Sequence, residues 1–190
     1  MKEKAWQDIG RLKQAIDKDR QQLSELAGEL LRVSKRAIFT LQRQDKTEST
    51  SRLKKADELL KSGLKIVGKQ TSLQNDGVWR AAMEEYAEAY IFNSFLSGQL
   101  KFPVALKNYP DSIYGGLADA AGEMARMSVL SATEGDAKNV ERAYQITLQI
   151  VEHLAMLELT GNLRSKFDQS KSHLRRIEDI RYDLSKRSLS

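Results

Sequence analysis

Apolar residues recur along this chain at intervals of three, four and seven, the spacing of one helix face. Over residues 4–42 the stripe is Leu12, Ile16, Leu23, Leu26, Leu30, Val33, Ala37 and Leu41, with Gly28 as an interior weakness. A break is expected over 44–49. A second helix places Leu53, Ala56, Leu60, Leu64 and Val67 on one side and ends near Gly68, before the polar stretch 70–77. Val78 opens a third helix running to about residue 100. The chain's two prolines, Pro103 and Pro110, bracket a short linker, and a fourth helix follows over about 112–131. Gly135 and Asp136 mark the next boundary. The fifth helix carries Val140, Tyr144, Leu148, Val151 and Ala155 and ends near Gly161 and Asn162; a charged sixth runs from Leu163 to about Lys186. No segment reads as a strand, and there is neither a fixed-period repeat nor a low-complexity tract. The expectation is an all-α, single-domain helical bundle over residues 1–190.

Two acidic pairs break the apolar logic of that pattern. Glu85 and Glu88 fall on a stripe with Ala81, Ala89, Phe92, Phe95 and Leu96, so both carboxylates are expected to point where a core belongs. Asp119 and Glu123 share a face with Gly115, Gly122, Arg126 and Leu130, where small residues suggest close packing. Burying four carboxylates with one arginine is tolerable only if cations or protons share the charge.

Composition narrows the chemistry. With 190 residues, 41% hydrophobic and 30% charged, the chain is long enough for a sizeable core and ordinary for a soluble protein. No apolar run is long enough to span a membrane and no signal-peptide pattern opens the chain, so a cytoplasmic protein is expected. The absence of cysteine excludes disulfides, thiolate metal sites and cysteine nucleophiles and leaves oxygen ligands, hence a hard cation. Net charge is +5, which permits a nucleic-acid partner without demanding one.

The segments 85–95 (EYAEAYIFNSF) and 117–127 (LADAAGEMARM) resemble the translin and TRAX family. So do 34–43 (SKRAIFTLQR), similar to the basic end of that family's first helix, and 163–187 (LRSKFDQSKSHLRRIEDIRYDLSKR), similar to its closing helix. The likeness runs from about Arg11 to Arg187 in the family's order. It implies a bundle of six to seven helices, the translin-like α-α superhelix, self-assembling into closed, usually octameric shells and admitting a second translin-like subunit. TRAX subunits of the family are Mg²⁺-dependent ribonucleases with acidic sites; translin subunits bind nucleic acid with a degraded or absent acidic set. This sequence keeps the whole set, which favours a TRAX-like subunit. The resemblance carries Glu85, Glu88 and Asp119 onto the metal-binding, catalytic positions and Glu123 onto an acidic position beside them. The chain is shorter than eukaryotic TRAX and lacks a basic leader before Trp6, which leaves a nuclear address unsupported and favours a prokaryotic or archaeal subunit.

Carboxylates at i, i+3 on one helix and i, i+4 on a facing one can surround Mg²⁺ or Mn²⁺ with oxygens, and such an ion suffices for phosphodiester cleavage without histidine. Gly115, Gly116, Ala118, Ala121 and Gly122 would let the two backbones approach closely. The plainer alternative is a buried ion pair with Arg126, which accounts for only one carboxylate. Arg32, Lys35, Arg36 and Arg43 near the end of the first helix, together with Arg126, are expected to contact phosphates of double- or single-stranded RNA or of single-stranded DNA, without reading sequence. The basic cluster Arg175, Arg176, Lys186 and Arg187 reads mostly as solvated surface. Tyr86, Tyr90, Phe92 and Phe95 are expected to be core, and His153 and His173 make no dyad and no Glu-x-x-His pair. A metal-dependent endoribonuclease working inside an oligomeric shell is therefore expected, and a non-catalytic translin-like RNA- and single-stranded-DNA-binding oligomer is the alternative. Leu148, Ile150, Val151 and Leu154 exceed what one face buries and are expected to supply a partner surface.

Overall fold

The computed structural model describes residues 2–187, and within them the only regular elements are helices: α1 (Lys2–Gln42), α2 (Lys46–Lys69), α3 (Gly77–Leu96), α4 (Pro110–Thr133), α5 (Ala137–Ala155) and α6 (Gly161–Arg187), with single 3-10 turns at Thr71–Leu73 and Val104–Leu106. Residues 188–190 of the expected domain, and the side chain of Arg187, fall outside what is described. No helix among the described residues is long and apolar enough to cross a membrane.

Helix starts are chemically marked. Asp45 accepts from Glu48 N, Asp76 from Val78 N and Trp79 N, and Asp136 from Asn139 N, each satisfying amides that have no partner inside their own helix. Pro110 occupies the first turn of α4, where its missing N–H costs nothing. Two expected boundaries move. The third helix stops at Leu96 rather than near residue 100, because Gly98 takes φ +84° and the amide of Gln99 closes back on Ser94 O at 3.0 Å. The fifth stops at Ala155, and Gly161, expected as its end, instead opens α6 at φ +55°. Leu157 and Leu159 prolong the apolar pattern because they pack against the core from irregular chain.

α1, α2 and α3 pack together, α4, α5 and α6 do likewise, and α3 against α4 is the main join between the trios. A single apolar cluster includes residues of all six helices, among them Leu30, Leu60, Phe92, Met124, Ile150 and Phe167. α3 and α4 run in the same direction: Arg80 donates to Asp111 at 3.0 Å, and one turn on, Glu84 lies against Gly115. The 97–109 segment must therefore travel back along their length. The contact is backbone-close, since a Cβ on Gly116 would lie 2.6 Å from Glu88 N and 2.7 Å from Glu84 O. Trp79 is fully buried with its ring over Gly63, and Tyr86, Phe92 and Phe95 are buried as expected.

The apolar residues of α5 expected to form a partner surface are largely used within the chain. Ile150 and Leu154 are buried and Val151 packs on the core. The exposed apolar stripe lies elsewhere, on the first turns of α1, where Trp6, Ile9 and Leu12 are 73%, 60% and 60% exposed. The sequence reading placed the surplus on α5; the α1 stripe is exposed because the start of α1 outruns the bundle.

Candidate functional site

The parallel register of α3 and α4 brings the four acidic residues to one place. Glu85 and Glu88 project from α3, Asp119 and Glu123 from α4, and the charges of Glu85, Asp119 and Glu123 all act on Glu88. Glu88 is 9% exposed. Desolvation, then repulsion from Glu85, Asp119 and Glu123, pushes its pKa up to about 9, so the isolated chain holds it protonated near neutrality. Burial also raises the pKa of Glu85, against the opposing pull of Lys35.

Flanking helices supply the compensation. From α1, Lys35 Nζ lies 3.7 Å from Glu85 Oε2, and the Gln42 amide donates to Glu123. From α6, Lys166 donates to Asp119 and also lies 2.6 Å from Glu84 Oε1. The plainer alternative, a buried ion pair between Arg126 and these acids, is not met: Arg126 is exposed and forms no ion pair among the described residues. It turns away because its position on α4 faces the end of α1 and α6. There it lines a groove of about 650 Å³ with Phe39, Gln42, Arg43, His173 and Arg176.

Of the glycines expected to admit a facing helix, Gly115 and Gly116 meet α3, whereas Gly122 meets the His173 imidazole on α6. Arg32, Lys35 and Arg36 are exposed along the second half of α1 and Arg43 just past its end, with Arg43 5.6 Å from the Phe39 ring centre. Arg175, Arg176 and Lys186 are exposed on α6. Sequence reading missed Lys166, Glu84 and Gln42. Lys166 lies inside the quoted 163–187 segment, but its partners are on α3 and α4, and nothing local marks so distant an ion pair.

The donors are all oxygens, and Glu88 has neither a hydrogen bond nor an ion pair among the described residues, so ligand type and charge suit a hard divalent ion. In their present rotamers, no three acidic or imidazole groups among the described residues converge at ligating distance. Asp119, Glu85 and Glu123 are each turned toward a partner of their own.

The Translin family model matches residues 101–188, which contain α4 to α6 and with them Asp119, Glu123 and Lys166. Over those residues the chain is similar to the Translin family. The remaining helices, α1 to α3 with Glu85 and Glu88, lie outside that match and are covered by likeness to solved structures. The structure of an AfC3PO–duplex RNA complex superposes with a TM-score of 0.86 at 24% identity, over 97% of this chain and 98% of that one. AfC3PO alone gives 0.84 at 25% identity, over 97% and 98%. Apo-NeC3PO gives 0.84 at 18% identity, over 94% and 96%. At such identities the shared property is the all-α fold. Curated proteins yield no significant match to this chain.

Proposed function

We propose that this chain is a TRAX-like, metal-dependent endoribonuclease that binds RNA and cleaves its phosphodiester bonds. The observation that carries the reading is the burial of Glu88 among Glu85, Asp119 and Glu123 at the join of α3 and α4. Likeness to a protein solved with duplex RNA supports the choice of partner. Glu85, Glu88 and Asp119 would hold Mg²⁺ or Mn²⁺, with Glu123 adjacent. Such an ion, when bound, polarises the phosphoryl oxygen and offsets charge on the leaving oxygen. The chain's own residues do the rest. The carboxylates concentrate negative potential in a partly desolvated place that demands a cation. Gln42 orients Glu123 by a hydrogen bond, and Lys35 lies near Glu85 and offsets its charge. Arg32, Lys35 and Arg36 on α1 and Arg43 just past it, with Arg126 across the groove, neutralise backbone phosphates. We place the reaction in the cytoplasm, inside a self-assembled octameric shell that a second translin-like subunit can join.

The second reading is a translin-like shell that binds RNA or single-stranded DNA without cleaving it. It is favoured by the separate partners of Asp119, Glu85 and Glu123. One experiment separates the two: labelled single-stranded and duplex RNA with Mg²⁺, Mn²⁺ or EDTA, beside Asp119→Asn and Glu88→Gln of unchanged helicity. Cleavage that needs both the ion and the acids establishes the nuclease. Binding that persists in EDTA with no cleavage under any condition establishes the second reading.

A further inference from the structure

We propose that Lys166 is an internal competitor of the divalent ion, shared between one carboxylate of the metal set, Asp119, and one outside it, Glu84, which receives the ammonium when the ion binds. The inference rests on the metal-site reading above and adds a residue that reading does not use.

The geometry is specific. Lys166 comes from α6, its side chain is 16% exposed, and its Nζ touches Glu84 Oε1 at 2.6 Å while also donating to Asp119 Oδ2. Those acceptors sit on different helices, so the ammonium bridges α3, α4 and α6. Glu84 reaches it by lying across Gly115, where a Cβ would stand 2.3 Å from Glu84 Oε2. Gly115 thus makes room for a carboxylate that points at Lys166. Asp119 is the only member of the proposed metal set that Lys166 touches among the described residues.

A divalent ion and an ammonium at neighbouring oxygens of Asp119 repel one another in a partly desolvated place, where charges act strongly. Binding of the ion therefore requires Lys166 to loosen from Asp119. Glu84 makes that movement short, because the ammonium keeps one partly buried partner and is not left unpaired. Lys166 then sets the free-ion concentration at which the site fills. Two substitutions consequently act in opposite directions. Removing the competitor tightens ion binding; removing its refuge leaves Asp119 as the sole acceptor and weakens binding.

The test is calorimetric titration of the purified full-length chain with Mn²⁺, helicity being matched by circular dichroism. Lys166→Gln should bind roughly tenfold or more tightly than the natural chain, the scale expected for one nearby unit charge. Lys166→Arg, which keeps the charge, should stay near the natural affinity. Glu84→Gln should bind several-fold more weakly, and Glu84→Gln combined with Lys166→Gln should match Lys166→Gln alone, because Glu84 acts only through the lysine. Weaker binding by Glu84→Gln that persists without Lys166 would make Glu84 a ligand and overturn the inference. So would a Lys166→Gln affinity equal to or below the natural one while Asp119→Asn abolishes binding; in that case the metal site stands and the competition falls. If the natural chain and Lys166→Gln both fail to bind Mn²⁺, or Asp119→Asn binds like the natural chain, the metal-site reading itself fails and this inference goes with it.

Discussion

Glu88 is where sequence and physics disagree most sharply: a carboxylic acid surrounded by three others on a helix face that otherwise packs apolar side chains. With its pKa pushed up to about 9 in the folded chain and lying near 4.5 when exposed, the folded state holds the proton more tightly than the unfolded state. Its contribution to stability is therefore fully present below about pH 4.5 and lost progressively as pH rises toward about 9. In EDTA, the melting temperature of the natural chain should fall over that range, and Glu88→Gln should flatten the fall and melt higher than the natural chain at its alkaline end. Scanning calorimetry at several pH values checks this; an equal slope in both proteins would show that Glu88 does not titrate there. At this scale the sequence was informative about the acids, since i, i+3 and i, i+4 spacing fixes which residues share a face. It was silent about Lys166 and Gln42, because a face does not reveal which distant helix will supply its counter-charges.

At the scale of elements, the meeting of α3 and α4 depends on two missing side chains. Gly116→Ala would drive a Cβ into the α3 backbone, with Glu88 N 2.6 Å away, and backbone cannot give way as a side-chain tip can. A loss of about 1–3 kcal/mol in denaturant unfolding is expected from such overpacking, with metal-dependent cleavage reduced alongside. Gly28→Ala is the contrasting case. It sits inside α1 with nothing within 4 Å of the added atom, so it should stabilise by about 0.5–1 kcal/mol through helix propensity alone. If both substitutions shift stability in the same direction, the close-packing account of Gly116 is wrong. Helix number and most helix starts were legible because Asp45, Asp76, Pro110 and Asp136 announce themselves locally. The ends of α3 and α5 were not, because Leu100, Leu157 and Leu159 continue the apolar rhythm while serving the core from outside any helix.

For the whole molecule, the informative feature is the reach of α1. At 41 residues it is about 60 Å long, and none of residues 3–22 is buried. The Trp6, Ile9 and Leu12 stripe is the surface on which self-association should depend. Trp6→Ser with Leu12→Ser should lower the mass measured by light scattering at micromolar concentration and leave helicity intact; an unchanged mass would place the self-association surface elsewhere. The basic half of the same helix should govern affinity for RNA. Lys35→Ala with Arg36→Ala should weaken binding across sequences and reduce the salt dependence by about one unit for each phosphate no longer neutralised. The α3–α4 join has its own consequence for the connectivity of the chain. Because these two helices run the same way, they are linked by the long return of 97–109 and not by a hairpin turn. A protease cut in that return would leave two three-helix fragments whose main mutual surface carries the clustered acids. Their reassembly would behave as a charge-gated complementation, opposed by alkaline pH and promoted by protons, polyamines or divalent ions.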